Sequence, residues 1–525
     1  MKIELLKKLF TTTIQDSKDL YPNKLKELFS IDLRSLALFR ICMACLLIAD
    51  LIILGSDLKA FYTDWGFLPR SVLLDSNNSP WYISINLING GAFLQTILFV
   101  IAFIFAFFLL IGYKTRFSTF MSWFFLLSLH FRNTSILSCA DGYLRSLFFW
   151  SMFIPLGACC SIDKIFSPKK EILPKQIFSM GTCAVLLQII FLYLFSAHYK
   201  SAAFWHIDAT AAYYALSLEE LATPLGTYLL HFPDFLKLST RIVYWLELLG
   251  PFLLLMPVCT GPIRTIAVLS FIFMHTAFGT CLALGVFSWI CCFAVLLFLP
   301  TWFWETIFIY FKNLTFVSSI KNWFHKTIIT FLETNSVIAY KPLRIHYSLF
   351  ENLFIAFCLM YVFMWNAKSI RPECIFPDYL RPFGQMLQLE EEWNMFAPYP
   401  SPDDGWYIIP GKLMDGTEVD LFRNGQPVKW KKPKLISNSY KNHYWFKLYE
   451  NLRQGDNTPQ LLNFGRYLCR KWDATHKDDR EIQKFSIYFM RETTLPDYKS
   501  PKPEKVLLWD HWCVDVPSSE NASNQ

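Results

Sequence analysis

The chain has 525 residues, of which 54% are apolar and 17% charged, whereas an ordinary soluble domain carries about 25% charged residues. Its net charge of +7 does not mark a nucleic-acid binder. The last 155 residues hold 43 charged side chains, and there 21 basic and 22 acidic groups nearly cancel, leaving no basic face. A membrane body followed by a polar tail remains, with the lipid bilayer and not nucleic acid as partner.

Residues 1–33 carry mixed charge (Lys2, Glu4, Lys7, Lys8, Asp16, Lys18) with no cleavage site of the A-x-A kind after the first apolar run. They read as a cytoplasmic amphipathic segment and not as a secretory signal. A helix needs roughly 20 mostly apolar residues to cross a bilayer. Nine runs qualify in a transmembrane domain over 34–368: 35–54, 92–113, 117–131, 143–161, 178–198, 242–260, 263–285, 287–310 and 346–366. The third and fourth are short. Lys and Arg number 19 in the N-terminal set of alternate loops and 7 in the opposite set. Basic loops stay in the cytoplasm, so the N-terminus is expected inside and the tail outside. The outer loops 55–91 and 201–241 are long, the first with a Ser/Asn turn at 76–80, the second with an amphipathic stretch, Tyr213–Leu221, suited to an interface.

Residues 369–516 read as an extracytoplasmic α+β domain. Asp415-Gly416 between two alternating runs predicts a hairpin, and Asn424-Gly425 a further turn. Helices are expected over 440–453 and 458–472, strands over 483–492 and 505–514, and a disordered tail over 517–525. Ten of the fourteen cysteines, including Cys42, Cys45, Cys159, Cys160, Cys291 and Cys292, lie in apolar runs and read as small apolar residues. The pairing of Cys139, Cys374, Cys469 and Cys513 is not readable. There is no H-E-x-x-H, P-loop, G-x-G-x-x-G or G-x-S-x-G, and no metal site is expected.

Four ionisable residues stand out. Lys200 closes the fifth run, just before Trp205-His206. A lysine there can snorkel to headgroups; held in a protein cavity, it can instead give up its proton and serve as a base. Asp141, in Ser138-Cys-Ala-Asp-Gly-Tyr143, is by type a turn former, with Arg132 and Asn133 near enough in sequence to pair with it. Glu247 and His275 lie deep in the sixth and seventh runs, where such groups face a protein or water-filled interior.

The run Asp57-Leu-Lys-Ala-Phe-Tyr-Thr-Asp-Trp-Gly-Phe-Leu-Pro-Arg70 resembles the first outer loop of the HTTM membrane family, which includes the vitamin K-dependent gamma-glutamyl carboxylases. Tyr213-Tyr-Ala-Leu-Ser-Leu218, Ala222-Thr-Pro-Leu-Gly226, Glu247-Leu-Leu-Gly-Pro251, His275 with Gly285-Val-Phe287, and Glu392-Trp-Asn-Met-Phe-Ala-Pro398 are similar to later family segments. The resemblance covers about residues 33–450. It implies that Lys200 is the base that deprotonates a reduced quinone, a reduced vitamin K or menaquinol-like molecule. Oxygen then converts the quinone to an epoxide through a strong base that removes a gamma proton from glutamate, and carbon dioxide adds to the carbanion. Asp141 falls where the animal enzyme has a histidine that assists this last step, a departure that bears on carboxylation and not on quinol chemistry.

The expectation is therefore a bacterial inner-membrane, carboxylase-like enzyme acting on a peptide or lipid-soluble substrate. Lys200 and Asp141 are its catalytic candidates, and Glu247, His275, Trp205, His206 and Arg132 line its cavity. The rival expectation is a scaffold or transporter of the same fold without the reaction.

Overall fold

The computed structural model describes residues 20–76, 81–166, 174–311, 348–454, 458–496 and 502–514. Residues 1–19, positions 77–80 of the expected turn and the tail 517–525 lie outside these. The chain is mostly helical, with a small antiparallel sheet in its C-terminal part.

Among the described residues five helices are long and apolar enough to span a membrane: α1 (Leu33–Gly55), α2 (Ala92–Ile111), α5 (Met180–Tyr199), α7 (Thr260–Cys281) and α10 (Leu349–Ile370). Between them lie α3 (Thr115–Arg132), α4 (Cys139–Ser151), α6 (Pro233–Leu254), α8 (Phe287–Val295) and α9 (Thr301–Phe311). Local chemistry sets several ends. Asp32 caps α1 through the amide of Arg34, Gly112 ends α2 at φ +69°, and Ser348 with Glu351 forms a capping box on α10.

The run expected over 287–310 does not stay straight. It bends by 90° between Phe298 and Thr301, where Pro300 breaks the hydrogen-bond ladder. Counted as one bent unit, it brings the candidate spans to six. The runs at 117–131, 143–161 and 242–260 form α3, α4 and α6, which fall short in length or hydropathy. Polar residues they turn inward, such as Ser118, Ser122, His130 and Arg132 on α3, account for the difference.

Neighbouring helices pack in chain order from α1 to α8, and α8 returns to α1, so the bundle closes on itself with α10 against α5. Its outer surface carries Phe93, Phe252, Ile266 and Phe273, all more than half exposed. Large apolar side chains there suit lipid as solvent.

In the tail, β1 (Asp403–Ile408) and β2 (Pro410–Leu413) run end to end along one edge of β4 (Ile482–Thr493), and β5 (Glu504–Trp512) pairs with the other edge. The hairpin at Asp415-Gly416 joins β2 to β3 (Glu418–Asp420), with Gly416 at φ +86°. Helices α11 (His443–Arg453) and α12 (Thr458–Asp473) pack beside the sheet, and a disulfide links Cys469 on α12 to Cys513 after β5. The segment expected as one amphipathic stretch over 213–221 is a helix at Ala211–Ser217, a turn, and a second helix at Pro224–Leu229.

Loop contacts sort into two ends. At one end the tail grips the long loops: Lys441 pairs with Asp57 at 2.6 Å, Arg470 donates to the carbonyls of Trp65 and Gly66, and Arg453 pairs with Glu220 at 2.9 Å. At the other end Ile31–Asp32 pairs with Gln176–Ile177, Arg264 donates to the carbonyl of Leu28, and Asp163 accepts from the amides of Lys114 and Thr115.

Candidate functional site

A cavity of about 680 Å³ opens where α5, α6 and α7 meet the tail. Its walls are mainly apolar, with Leu192, Phe278 and Phe287 from the bundle and Phe396 and Phe446 from the tail. Lys200 is the C-cap residue of α5 and is only 2% exposed, so it does not snorkel outward. Its Nζ donates to Ser196 Oγ at 2.6 Å and to Glu247 Oε2 at 2.5 Å, and it lies 5.1 Å from the ring centre of Trp205. Ser196 stands one helical turn before Lys200 on the same face of α5, which is why both reach the same carboxylate on α6.

His275 on α7 shares this cavity. One ring nitrogen, Nε2, lies 2.9 Å from the Tyr193 hydroxyl, while the buried Nδ1 has no partner among the described residues. Lysine, carboxylate, imidazole and phenol thus line one largely apolar space. Lys200 Nζ and Glu247 Oε2 are a donor and an acceptor in direct contact, and the unpartnered ring nitrogen of His275 is a further polar atom beside the same space.

Of the other candidates, Trp205 shares the cavity, whereas His206 and Arg132 do not line it. Trp205 is on the cavity wall and donates Nε1–H to the Phe396 carbonyl at 3.3 Å. His206 is exposed; its Nε2–H donates to the Lys200 carbonyl at 2.6 Å and its ring packs on Tyr244, so it fixes the loop after α5. Arg132 is fully buried and donates to the carbonyls of Leu68 and Thr63, fastening loop 55–91 to α3.

Asp141 is not on this cavity. Its Oδ2 accepts from the amide and hydroxyl of Ser138, closing a capping box at the start of α4, and its Oδ1 lies 3.2 Å from the Tyr444 hydroxyl. Its wall belongs to a neighbouring void, and Ser138 and His443 line both. Arg132 does not pair with it; Arg145, which binds His130 Nδ1 and Glu391, occupies that neighbourhood.

Four contributors escaped sequence reading. Ser196 was available from its four-residue spacing to Lys200. Asp50, an acid inside the first apolar run, was available as an intramembrane charge. His443 and Tyr444 carried no local signal, because their role depends on the tail docking on the bundle. Burial, and then the nearby Lys447 ammonium, push the His443 imidazole down to about 3.

Among the described residues no group of three or more His, Cys, Asp or Glu side chains is placed to hold a metal ion. Compared with known proteins, the chain matches no family model, no curated protein and no solved structure.

Proposed function

We propose that the protein is an integral membrane enzyme of the carboxylase-like HTTM type, using Lys200 as a base on a reduced quinone that arrives from the bilayer. The observation that carries this reading is Lys200 itself: a buried amine held by Ser196 and Glu247 on the wall of a large, mainly apolar cavity. The cavity suits a flat, lipid-soluble ring with polar oxygens. Trp205 and Phe396 would cover its faces, and Lys200 and His275 would meet its oxygens. When bound, a reduced quinone supplies a hydroxyl proton and, with oxygen, the oxidising power to drive proton removal and carboxylation of a second substrate.

The chain's own work is proton handling. Lys200 passes its ammonium proton to Glu247 at 2.5 Å, which frees the Nζ lone pair to accept one from the cavity. Ser196 keeps Nζ aimed during the exchange. Tyr193 orients the His275 ring, leaving Nδ1 to serve as a second proton acceptor or donor. Carboxylation has weaker support than quinol oxidation, because Asp141 is tied up in a helix cap away from this cavity. That observation favours the second reading, a membrane scaffold or transporter that kept the fold. A bacterial inner membrane, with the tail outside, fits the disulfide in the tail.

Oxygen uptake by the protein in liposomes, supplied with reduced vitamin K or menaquinol, is the test. Lys200→Ala and Lys200→Arg are both expected to lower turnover by at least about 100-fold, the scale of a lost general base. Arginine keeps the charge and does not give up its proton. Near wild-type uptake by Lys200→Arg, or no uptake by the wild type with either quinol, would replace the enzyme reading with the scaffold reading. Fixation of labelled bicarbonate in the same vesicles separates carboxylation from quinol oxidation.

A further inference from the structure

The neighbouring void, about 470 Å³, lies between α1 and α8. Its lining is overwhelmingly apolar. On its open side stand Cys45 and Ala49 of α1 and Trp289 of α8, all exposed on the outer surface of the bundle where the lipid lies. On its wall Asp50 is fully buried.

Tyr444 reaches in from the tail, and its hydroxyl lies 2.5 Å from Oδ1 of Asp50 and 3.2 Å from Oδ1 of Asp141. A phenol has one proton, so both contacts are satisfied only when a second proton is shared among the three groups. Whichever group carries it, the pairing engages Oδ1 of Asp50. Oδ2 of Asp50 remains buried with no hydrogen-bond partner among the described residues. A buried oxygen without a donor carries a desolvation cost, which an incoming donor recovers.

Three fillers can be compared. Water needs two to four polar partners, and on this overwhelmingly apolar wall the unpartnered side-chain atoms among the described residues are Asp50 Oδ2 and His443 Nδ1. An ammonium head brings three N–H donors, more than these two atoms can meet. A hydroxyl brings one donor, and an apolar body behind it covers the rest of the wall.

We propose that this cavity binds a neutral, lipid-soluble molecule with an apolar body and a hydroxyl or phenol head, which donates to Oδ2 of Asp50. It enters sideways from the bilayer past Cys45 and Ala49. The site is separate from Lys200 and stands whether or not quinol chemistry occurs there.

Cys45 is a free, exposed thiol at the mouth, so occupancy can be read without any activity. The full chain in lipid nanodiscs is treated with N-ethylmaleimide, and alkylation of Cys45 is followed by peptide mass spectrometry. Cys374, exposed in the tail, is the internal reference. The probes are 1-naphthol and 1-methoxynaphthalene, which share a body and differ in the O–H.

The naphthol is expected to protect Cys45 at concentrations about tenfold lower than the ether, the scale of a hydrogen bond to a buried acceptor, with Cys374 unaffected. Asp50→Ala is expected to erase that difference, and Ala49→Phe, which fills the mouth from the lipid side, to remove protection by both probes. Equal protection by the two probes in the wild type, or protection that survives Ala49→Phe, overturns the proposal. The wild-type comparison and Ala49→Phe keep the test decisive if Asp50→Ala does not fold.

Discussion

At residue scale, His443 is the side chain on which bundle and tail both depend. It lines both cavities, and its ring lies against Gly285, whose φ of +59° brings the backbone between α7 and α8 close under it. A Cβ at position 285 would meet the imidazole at 2.8 Å. Burial keeps the ring neutral when folded, with its pKa lowered to about 3 from 6.5. A depressed folded value means that the unfolded chain binds the proton first. The stabilisation is whole above pH 6.5 and shrinks as pH falls toward 3. The wild type is expected to lose about 2 kcal/mol more than His443→Gln between pH 8 and pH 5, read from unfolding midpoints in nanodiscs. Parallel pH profiles of the two proteins would remove His443 from the account. This residue was invisible in the sequence, unlike Lys200, Glu247 and His275, which declare themselves as charges beside or within apolar runs. Their pairing was not legible: Lys200 and Glu247 are 47 residues apart, and only the α5–α6 packing brings them together. For Asp141 the signal was present and read differently, since Ser138 three residues earlier is the start of a capping box.

Elements were more legible than sites because their causes are local. Asp415-Gly416 needs no tertiary partner to turn, and the hairpin between β2 and β3 sits on it. Alternation along β4 buries Phe485, Ile487 and Phe489 on one face. The straightness of the run over 287–310 failed at Pro300, a breaker visible in the sequence but outweighed there by the apolar residues around it. The disulfide lay beyond sequence reading, since α12 must dock beside β5 before Cys469 and Cys513 come to a Cα separation of 5.7 Å. The two cysteines are 44 residues apart, and closing a loop of that length in the unfolded chain is worth about 4 kcal/mol. Cys469→Ser with Cys513→Ser is therefore expected to lower the melting midpoint of the tail and to speed its cleavage by protease. The wild type treated with a reductant is expected to behave like the double variant. A tail equally resistant in all three states would show that packing of α12 on the sheet holds it without the bond.

For the whole molecule, the open quantity is how many times the chain crosses the bilayer. Among the described residues five helices meet the demands of length and hydropathy, and a sixth does if the bent pair counts as one. The loop contacts bear on the rest. The tail touches the loops after the first, third, fifth and seventh runs, through Asp57, Ser135, Glu220 and Gly285. The loops after the second, fourth and sixth runs meet the N-terminal segment or one another at the opposite end, through Lys114, Gln176 and Arg264. Alternation of this kind is the pattern expected of nine traverses, with α8 and α9 taken as the one bent unit. Nine traverses, being odd in number, would put the ends of the chain on opposite sides, and the surplus of basic residues predicts a cytoplasmic N-terminus. A phosphatase fused after Gln525, active only outside the cytoplasm, is expected to give activity, and a fluorescent protein that matures only inside is expected to stay dark there. Swapping the two reporters to the N-terminus should reverse both signals. An active phosphatase at both ends would leave an even number of crossings, and the tail would then close the cavity at Lys200 from the same side on which the chain begins.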